Sequence, residues 1–304
     1  MDSSRDKFAD ELRSVRNRIE SVTRPTFLTE DNREVELEIS GRRYKIGRQI
    51  AEGDLSVIYE GEIIEGEGQG NLIIVKIIDD PEDNEFALNE IRVLKLLRDT
   101  DAPQLKHLPV FYDRFMTQGR RYGVILSRLD GYDLDFLRKV YPDGVPPEHV
   151  GWIFARILSA IGYAHSRGIV HCNLEPAHIL VRPKDHNVFL ADWSYAAMDV
   201  FESDAKFKVR NEAGFSAPEV EDGAVSHPSA DLFSVGKCMI YLLGGDIETD
   251  EMYEDIDERL QNFIRYFVIK SASARAQEAW VLYRQLVELR KEIYGELRFR
   301  EFEV

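Results

Sequence analysis

The sequence predicts an α+β fold of two lobes, in which a small β-rich lobe with one helix precedes a larger helical lobe. Short β-branched segments, several of them separated by glycine, fill the region from about Val35 to Ile125, and one helical segment interrupts them. After Leu129 the long segments have the three- and four-residue apolar spacing of helices. Strands and helices that are segregated along the chain predict two lobes with a crevice between them. A chain of 304 residues is long enough to bury the core of such a protein.

Residues 1–42 are predicted to form an N-terminal extension that contains an amphipathic helix over residues 3–22. Apolar residues recur there at steps of four and three positions, and charged residues occupy the other faces. The apolar stripe consists of Phe8, Leu12, Val15, Ile19 and Val22. Because two heptads are too few to indicate a coiled coil, we expect the helix to dock onto the main domain, with homodimerisation as the alternative.

Residues 43–128 are predicted to form the β-rich lobe. The segments with strand character are RRYKIGRQI, SVIYEGEII, NLIIVKII, VFYDRF and YGVILS, and EVELEI precedes them. EGEGQG supplies a turn, and NEFALNEIRVLKLLRDT supplies the single helix. We therefore expect a sheet of five or more strands together with one helix.

Residues 129–304 are predicted to form the helical lobe, with a C-terminal helix and a tail. Helical spacing is present in DLDFLRKV, EHVGWIFARILSAIGYAHSRG, SADLFSVGKCMIYLLGG, DERLQNFIRYFVI and ARAQEAWVLYRQLVELRKEIYG. Gly295 ends the last of these helices, which we expect to cover the lobe. The tail LRFREFEV carries apolar residues at Leu297, Phe299, Phe302 and Val304.

The composition limits the classes of partner. A formal net charge of −16 argues against nucleic acid and against an anionic membrane surface, because both would be repelled. The charge favours solubility, with a basic partner as the alternative, so the expected partner is a protein of unknown identity. Cys172 and Cys238 are too few and too far apart for a disulfide framework, which predicts a reducing, cytoplasmic location. No apolar run approaches the length of a membrane span.

A series of short motifs in a fixed order resembles the eukaryotic-type protein kinase family of the serine/threonine class. AEGDLSVIYEG stands at the place of the glycine-rich loop, IIVK at that of the third-strand lysine, and LSRLDGYDL at that of the hinge. HCNLEPAHIL then corresponds to H-R-D-L-K-P-x-N, ADWS to D-F-G and FSAPE to A-P-E, and DLFSVG opens a buried helix. The resemblance spans about Tyr44 to Ile293 and rests on the order and spacing of the motifs. It implies a two-lobed protein kinase-like fold.

The resemblance also implies a nucleotide site, of which several residues are kept. Lys76 stands where the family grips the α- and β-phosphates, and Glu90 on the lone helix is its implied ion partner. Gly53 is the one glycine that remains in the phosphate loop. Ile74 replaces the small alanine against the adenine and would narrow or fill that pocket. The other residues implied to line the pocket are Ile58, Leu126 as the gatekeeper, Leu129 and Leu180.

The loop HCNLEPAHIL keeps its apolar framework but differs where the family carries out chemistry. Asn173 replaces the aspartate base, and an amide is not a usable base near neutral pH. Glu175 inverts the charge of the lysine that neutralises the transferred phosphate, which should cost on the order of several kcal/mol in a partly desolvated cleft. His178 replaces the second metal ligand, although imidazole suits zinc-like metals better than Mg²⁺. Asp192 remains as the single hard metal ligand.

The joint loss of base, cation and phosphate loop predicts a pseudokinase, a kinase-like fold used as a binding or regulatory module. Such a protein would bind ATP weakly or not at all and would not transfer phosphate efficiently, so an enzymatic role is disfavoured. The alternative is a divergent serine/threonine kinase or another ATP-dependent phosphoryl or nucleotidyl transferase, because Lys76, Glu90 and Asp192 could still hold a metal–nucleotide. The sequence assigns no cofactor, and ATP with Mg²⁺ or Mn²⁺ is the candidate that the alternative requires.

Overall fold

The structure is a computed structural model that describes residues 34–204, 206, 214–296, 298 and 302–304. The predicted amphipathic helix over residues 3–22 lies outside the described residues, as do Leu297 and Phe299 of the tail. The dimerisation alternative for that helix therefore stays a prediction.

The chain forms two compact units. The first comprises the described residues up to Ile91 together with Val110–Arg128, and the second comprises Arg92–Pro109 and Leu129–Val304. The sequence prediction assigned residues 92–109 to the first lobe, whereas their contacts group them with the second unit. His107 illustrates the reason, because its ring nitrogen Nδ1 lies 2.7 Å from the carbonyl oxygen of Val188.

The first unit contains an antiparallel sheet with the strand order β1-β2-β3-β4-β6-β5. The strands are β1 (Val35–Ile39), β2 (Arg42–Glu52), β3 (Ser56–Glu65), β4 (Leu72–Ile78), β5 (Phe111–Met116) and β6 (Tyr122–Ser127). Six strands agree with the expected sheet of five or more. Strand β1 lies in the range that was predicted to be the N-terminal extension, but it pairs with β2 because Leu37 and Ile39 are buried in the core of the sheet.

The alternation of β4 separates its side chains onto two faces of the sheet. Ile73, Val75 and Ile77 enter the buried cluster of the first unit. The intervening residues Ile74 and Lys76 therefore lie on the opposite face. This division decides which residues of the sheet can contribute to a site.

The first helix, α1 (Asn84–Leu97), follows a short 3₁₀ turn at Pro81–Asp83. The side chain of Asp80 accepts a hydrogen bond of 2.9 Å from the backbone of Glu82 and so caps the turn. Glu90 lies on α1 and is almost completely buried, with 1% exposure. The helix thus fixes the position of one predicted site residue.

The second unit is mainly helical, as the sequence predicts. Its helices are α2 (Leu134–Val140), α3 (Pro147–Ser166), α4 (Pro218–Glu221), α5 (Pro228–Leu242), α6 (Glu258–Arg265) and α7 (Ala279–Tyr294). Helix α7 begins at Ala279 rather than at Ala274, where helical spacing was predicted to start. The residues before it form turns that bury Arg275, whose guanidinium pairs with Glu219. Because Glu219 is the last residue of the FSAPE motif, this pair ties the motif to the turns before α7.

Helices α3 and α7 pack closely and run antiparallel. A side chain at Gly151 would lie 3.0 Å from Arg290, and one at Gly162 would lie 3.1 Å from Trp280. The two glycines therefore provide the space for these large side chains of α7. None of the helices in the described part of the chain has the length and apolarity that a membrane crossing requires.

A small antiparallel sheet of the second unit was not predicted. It consists of β7 (Tyr132–Asp133), β8 (Ile179–Arg182) and β9 (Asn187–Leu190), in the order β7-β8-β9. These strands have two to four residues, which is too short for an alternating pattern to be recognised. Strand β8 directly follows the 3₁₀ turn Pro176–His178, so the sheet holds one end of the HCNLEPAHIL segment.

Candidate functional site

The segment HCNLEPAHIL is anchored by a buried carboxylate on α5. Oδ2 of Asp231 accepts a hydrogen bond of 2.8 Å from the backbone of His171, and Oδ1 accepts one of 2.9 Å from Cys172. His165 on α3 approaches the same Oδ2 with its Nε2 at 2.9 Å. Although burial alone would raise the pKa of Asp231, these partners lower it, with His165 as the largest of the opposing contributions. Asp231, the first residue of the DLFSVG motif, thus anchors the loop to α5.

His171 and Cys172, the first two residues of the segment, are buried and unreactive. Nε2 of His171 lies 3.0 Å from the carbonyl oxygen of Ala191, while its Nδ1 lies 3.3 Å from the backbone nitrogen of Asn173. Since a carbonyl only accepts, Nε2 carries the hydrogen and the ring is neutral, and burial lowers the pKa of His171 to about 4. Burial raises the pKa of the Cys172 thiol far above its usual range, so this cysteine is not an activated nucleophile.

Asn173 and Asp192, which the sequence assigned separately to the base and to the metal ligand, are direct partners. Nδ2 of Asn173 donates a hydrogen bond of 2.9 Å to Oδ2 of Asp192. The hydroxyl of Ser194 donates a short hydrogen bond to Oδ1 of the same carboxylate. Both oxygens of Asp192 therefore accept a hydrogen bond from the chain itself. Asp192 also adopts the left-handed backbone conformation, with φ 57°, which a non-glycine residue holds only when its surroundings stabilise it.

His178 and Glu175 complete this cluster. Nδ1 of His178 lies 2.9 Å from the carbonyl oxygen of Asn173, so it carries the hydrogen and donates. The same nitrogen is 3.5 Å from Oε1 of Glu175, and Nε2 is 3.7 Å from Oδ2 of Asp192. The turn Pro176–His178 brings the imidazole back over the segment, with its nitrogens facing two carboxylates and one carbonyl.

The cluster does not have the ligand set that a magnesium ion prefers. Among the described residues, no group of three or more His, Cys, Asp or Glu side chains converges in a way that could hold a metal ion. His178 and Asp192 supply two ligands, of which one is a nitrogen, whereas Mg²⁺ takes oxygen ligands in octahedral geometry. Binding of Mg²⁺ by Asp192 would also compete with the hydrogen bonds from Asn173 and Ser194. The residues present therefore do not fit Mg²⁺ well.

The first unit contains the predicted lysine–glutamate pair. Nζ of Lys76 lies 3.2 Å from Oε2 of Glu90, with 10% and 1% exposure of the two side chains. Lys76 is placed by the central strand β4 and Glu90 by α1. Because both charges are buried, each depends on the other for stability. The first unit thus retains a feature that a nucleotide-binding kinase uses.

The predicted phosphate loop is a tight hairpin turn between β2 and β3. Only residues 53–55 separate the two strands, and the backbone N–H of Gly53 donates a hydrogen bond of 2.9 Å to Ser56. A side chain at Gly53 would meet only the carbonyl oxygen of Ser56, at 3.7 Å, so the turn does not need a glycine for space. The N–H that a phosphate would require is used within the turn.

The residues predicted to surround the adenine belong to both units. Within the first unit, strand register pairs Ile58 with Lys76 and Ile74 with Leu126. These side chains share the face of the sheet opposite its buried cluster, and Ile74 is partly exposed. Leu129 and Leu180 belong to the second unit, in which both are partly buried.

Sequence reasoning missed two functional contacts of the second unit. The alignment of ADWS with D-F-G places Ser194 at the glycine position, but it did not predict the hydrogen bond from Ser194 to Asp192. It also overlooked His165, which shares Asp231 with the loop. The separation of two residues between Asp192 and Ser194 was the available signal, because a serine at that distance can bond back to a side chain within a turn.

Comparison with known proteins agrees with this architecture. A sequence model of the protein kinase domain family matches residues 44–292. CBL-interacting protein kinase 4 of Oryza sativa subsp. japonica is 26% identical over 212 residues, which is 69% of this chain and 46% of the relative. Human serine/threonine-protein kinase D2 is 27% identical over 219 residues, covering 70% of this chain and 24% of the relative.

A third relative is serine/threonine-protein kinase grp of Drosophila melanogaster, which is 28% identical over 190 residues, or 60% of this chain and 35% of the relative. The chain thus spans from about a quarter to about a half of the length of these relatives. Since the family match covers most of the chain and the β-rich and helical units follow in the expected order, this chain belongs to the protein kinase domain family and has its mixed α+β fold.

Proposed function

We propose that this chain is a pseudokinase, a kinase domain that serves as a binding or regulatory module. It binds ATP weakly or not at all and does not transfer phosphate efficiently. The observation that carries the proposal is the hydrogen bond of 2.9 Å from the amide of Asn173 to Asp192. At the position of the family's base, the chain has a donor that is directed at the family's metal ligand.

This hydrogen bond matters because the residue at the base position acts as a donor, and the residue at the metal-ligand position already accepts a hydrogen bond from it. A base must accept the proton of a substrate hydroxyl, and an amide nitrogen cannot do so. The carboxylate of Asp192 also accepts a hydrogen bond from Ser194. A metal ion at Asp192 would have to compete with these donors. Among the described residues, no group of three or more His, Cys, Asp or Glu side chains could hold the ion and so offset this competition.

The charge next to this network is a second support for the proposal. Glu175 lies at the place of the cation that would neutralise a transferred phosphate, and its side chain is 14% exposed. A carboxylate in such a partly desolvated position repels a phosphate more strongly than one in water. Nδ1 of His178 lies 3.5 Å from Oε1 of Glu175, and Nε2 of the same ring faces Asp192.

The first unit supports weak nucleotide binding in a different way. The N–H of Gly53 is used by Ser56, so the turn offers fewer donors to a phosphate than an open glycine-rich loop would. Ile74 presents a branched side chain beside Leu126 on the face that carries Lys76. A larger residue at a packed surface narrows the room for a flat ring.

The second candidate function is that of an active serine/threonine kinase or another ATP-dependent phosphoryl or nucleotidyl transferase. The formed ion pair between Lys76 and Glu90 favours this candidate, because such a pair positions a nucleotide in kinases. Asp192 remains available as an anionic ligand if a nucleotide supplies the other oxygens.

Thermal unfolding and phosphoryl transfer separate the two candidates. We expect millimolar ATP with Mg²⁺ or Mn²⁺ to leave the Tm of the purified full chain unchanged within error. We also expect no transfer of labelled phosphate to a generic protein substrate. Transfer that is lost in both Lys76→Met and Asp192→Asn would instead establish the enzyme, and a serine/threonine kinase of proven activity serves as the positive control.

Partner, oligomeric state and location are also proposals. We propose a protein partner rather than nucleic acid or membrane, on the basis of the net charge of −16, and a cytoplasmic location. Homodimerisation through residues 3–22 is tested by light scattering of the full chain and of a chain that lacks residues 1–24. An unchanged number of chains per particle would exclude a dimer that forms through this helix.

A further inference from the structure

Arg290 on α7 is a buried cation whose hydrogen-bonding edge has no partner in the described part of the chain. The residue is 1% exposed. Its Nε and Nη2 atoms are inaccessible to solvent, and neither makes a hydrogen bond. These two atoms form the edge of a guanidinium group that can bind a carboxylate or a phosphate through two parallel hydrogen bonds.

Such an arrangement is unfavourable unless an anion completes it. Burial lowers the pKa of Arg290 to about 10, so the group still carries its charge near neutral pH. Its Cζ lies 4.1 Å from the ring centroid of Trp152, and this cation–π contact stabilises the face of the guanidinium. The donors of its edge remain unsatisfied, which is costly in a desolvated position.

Two further buried donors lie close to Arg290 on the neighbouring helix. Nε1 of Trp152 and Nε of Arg156 are inaccessible and lack a hydrogen-bond partner among the described residues. They are one helical turn apart on α3, so they lie on the same face of that helix. Gly151 allows α7 to approach this face, because a side chain there would meet Nε of Arg290 at 3.0 Å. Three donor side chains therefore lie along one helix–helix seam.

The charges around this seam include both signs. Burial is the main cause that lowers the pKa of Arg290; Glu148 is the largest opposing charge, and Arg156 makes a smaller contribution that lowers the pKa. Arg156 also lowers the pKa of Lys106. Glu148 and Asp185 are the opposing carboxylates. Glu148 nevertheless leaves the Nε–Nη2 edge of Arg290 without a hydrogen bond. The unsatisfied donors of this edge, and not the net charge of −16 for the whole chain, are therefore what favours an anion at this place.

We propose that Arg290, Arg156 and the indole of Trp152 form an oxyanion-binding site on the α3–α7 seam. The ligand carries a carboxylate or a phosphate group, two of whose oxygens bind the edge of Arg290. The remaining donors, Trp152 Nε1 and Arg156 Nε, donate hydrogen bonds to the other lone pairs of the ligand's oxygens. This site is separate from Asn173 and Asp192, so it concerns ligand binding and not phosphoryl transfer.

A stack of rings that includes Phe302 lies next to Trp152. The ring of Phe302 stacks on His149 and His186, with centroid distances of 4.8 and 5.7 Å. The His186 ring in turn lies nearly parallel to Trp152, at 6.1 Å. Since the donor atoms are inaccessible in this arrangement, movement of the Phe302 and His186 rings is the expected route of entry.

Binding is tested on the full chain with inorganic phosphate and with acetate as separate probes. Thermal unfolding and titration calorimetry are compared with sodium chloride at the same ionic strength, which removes the general effect of salt. We expect one anion to bind per chain and to raise the Tm. Arg290→Gln and Arg156→Gln should each weaken binding by about 10-fold or more. The probe that binds distinguishes a phosphate ligand from a carboxylate ligand.

Two controls keep the outcome decisive. Arg259→Gln removes an arginine of the same unit whose side chain is 51% exposed, and it should leave binding unchanged. Arg156, which is only partly buried, carries the test if Arg290→Gln does not fold. The proposal is overturned if neither anion acts beyond chloride, or if wild type and both arginine variants respond equally. Binding that appears only in Glu148→Gln would identify Glu148 as the counterion of Arg290 and would also overturn it.

Discussion

The lysine–glutamate pair of the first unit and the loop HCNLEPAHIL of the second unit differ in what they keep of the kinase pattern. In the first unit, Lys76 and Glu90 form a buried ion pair at 3.2 Å, as in a nucleotide-binding kinase. In the second unit, Asp231 still anchors the loop, but Asn173 donates to Asp192. One region retains the ion pair that the family uses to bind nucleotide, whereas the other has the framework of a catalytic loop with an asparagine at the position of the base.

The same contrast exists within the loop. The backbone N–H groups of His171 and Cys172 are held by the buried carboxylate of Asp231. The ring of His171 also donates to the carbonyl oxygen of Ala191, so replacement of His171 would leave that buried group without its partner. Asn173, Glu175 and His178 stand where the family carries out chemistry; Asn173 donates to Asp192, and His178 contacts both Asn173 and Glu175. Folding therefore constrains the first group directly and the second group much less. In the pseudokinase that we propose, the loop would keep its fold because Asp231 holds it through backbone groups and not through the side chains of Asn173, Glu175 or His178.

The largest effect is expected from removing the anchor of the loop. Asp231→Ala should reduce the free energy of unfolding by about 3–5 kcal/mol, because it leaves His165 and two backbone N–H groups without their buried partner. Urea unfolding followed by circular dichroism measures the loss. Asp255→Ala, at an exposed position, is the control and should change stability by less than about 0.5 kcal/mol. Similar losses for the two variants would contradict the division between framework and surface.

A smaller effect is expected from pH, through the buried histidines of the second unit. Burial lowers the pKa of His171 and of His107 to about 4. Because these values lie below the unfolded value of about 6.5, the contribution of each histidine to stability is complete above about pH 6.5 and is lost as the pH falls towards 4. Near pH 5 each should reduce the free energy of unfolding by about 1.4 kcal/mol per pH unit.

His107→Gln tests this pH dependence, since an amide can still donate towards the carbonyl of Val188. Urea unfolding at about pH 7.5 and about pH 5 should show that the variant loses about 2 kcal/mol less than wild type over this interval. Equal losses would mean that His107 is not the buried neutral group described above.

The sequence predicted those parts of the fold and site that depend on strong local patterns or on motif order. The six strands of the first unit follow from β-branched segments, and the pairing of Lys76 with Glu90 follows from their places in the motif series. The sheet β7-β8-β9 escaped prediction because strands of two to four residues carry no period. The contacts of Asp192 escaped as well, because they depend on its left-handed backbone, which turns the carboxylate towards Asn173 and Ser194.

A moderate effect is expected when the base of the family pattern is restored. Asn173→Asp removes the donor to Asp192 and places two carboxylates within hydrogen-bond distance, which should destabilise the chain by about 1–2 kcal/mol. The same change creates a pair of oxygen ligands, so Mg²⁺ should recover part of the lost Tm in the variant while it leaves wild type unchanged. Asn173→Ala, which loses the donor without adding charge, is the matched control and should not respond to Mg²⁺. An equal response of wild type to Mg²⁺ would show that the hydrogen bond to Asp192 does not prevent metal binding.

The smallest effect is expected at Ser194, whose hydroxyl is the second donor to Asp192. Ser194→Ala should reduce the free energy of unfolding by only about 0.5–1 kcal/mol, because Asp192 keeps the hydrogen bond from Asn173. The substitution frees one carboxylate oxygen but adds no ligand, so Mg²⁺ should stabilise this variant less than Asn173→Asp. Thermal unfolding of wild type, the two single variants and the double variant forms a cycle that measures their coupling through Asp192. If the effects of the two substitutions on Mg²⁺ binding add, the two donors act independently. If the effect in the double variant exceeds the sum, Asn173 and Ser194 jointly prevent Asp192 from binding the metal. The second outcome is the one expected of a chain that keeps the fold of the loop but uses Asp192 as a hydrogen-bond acceptor.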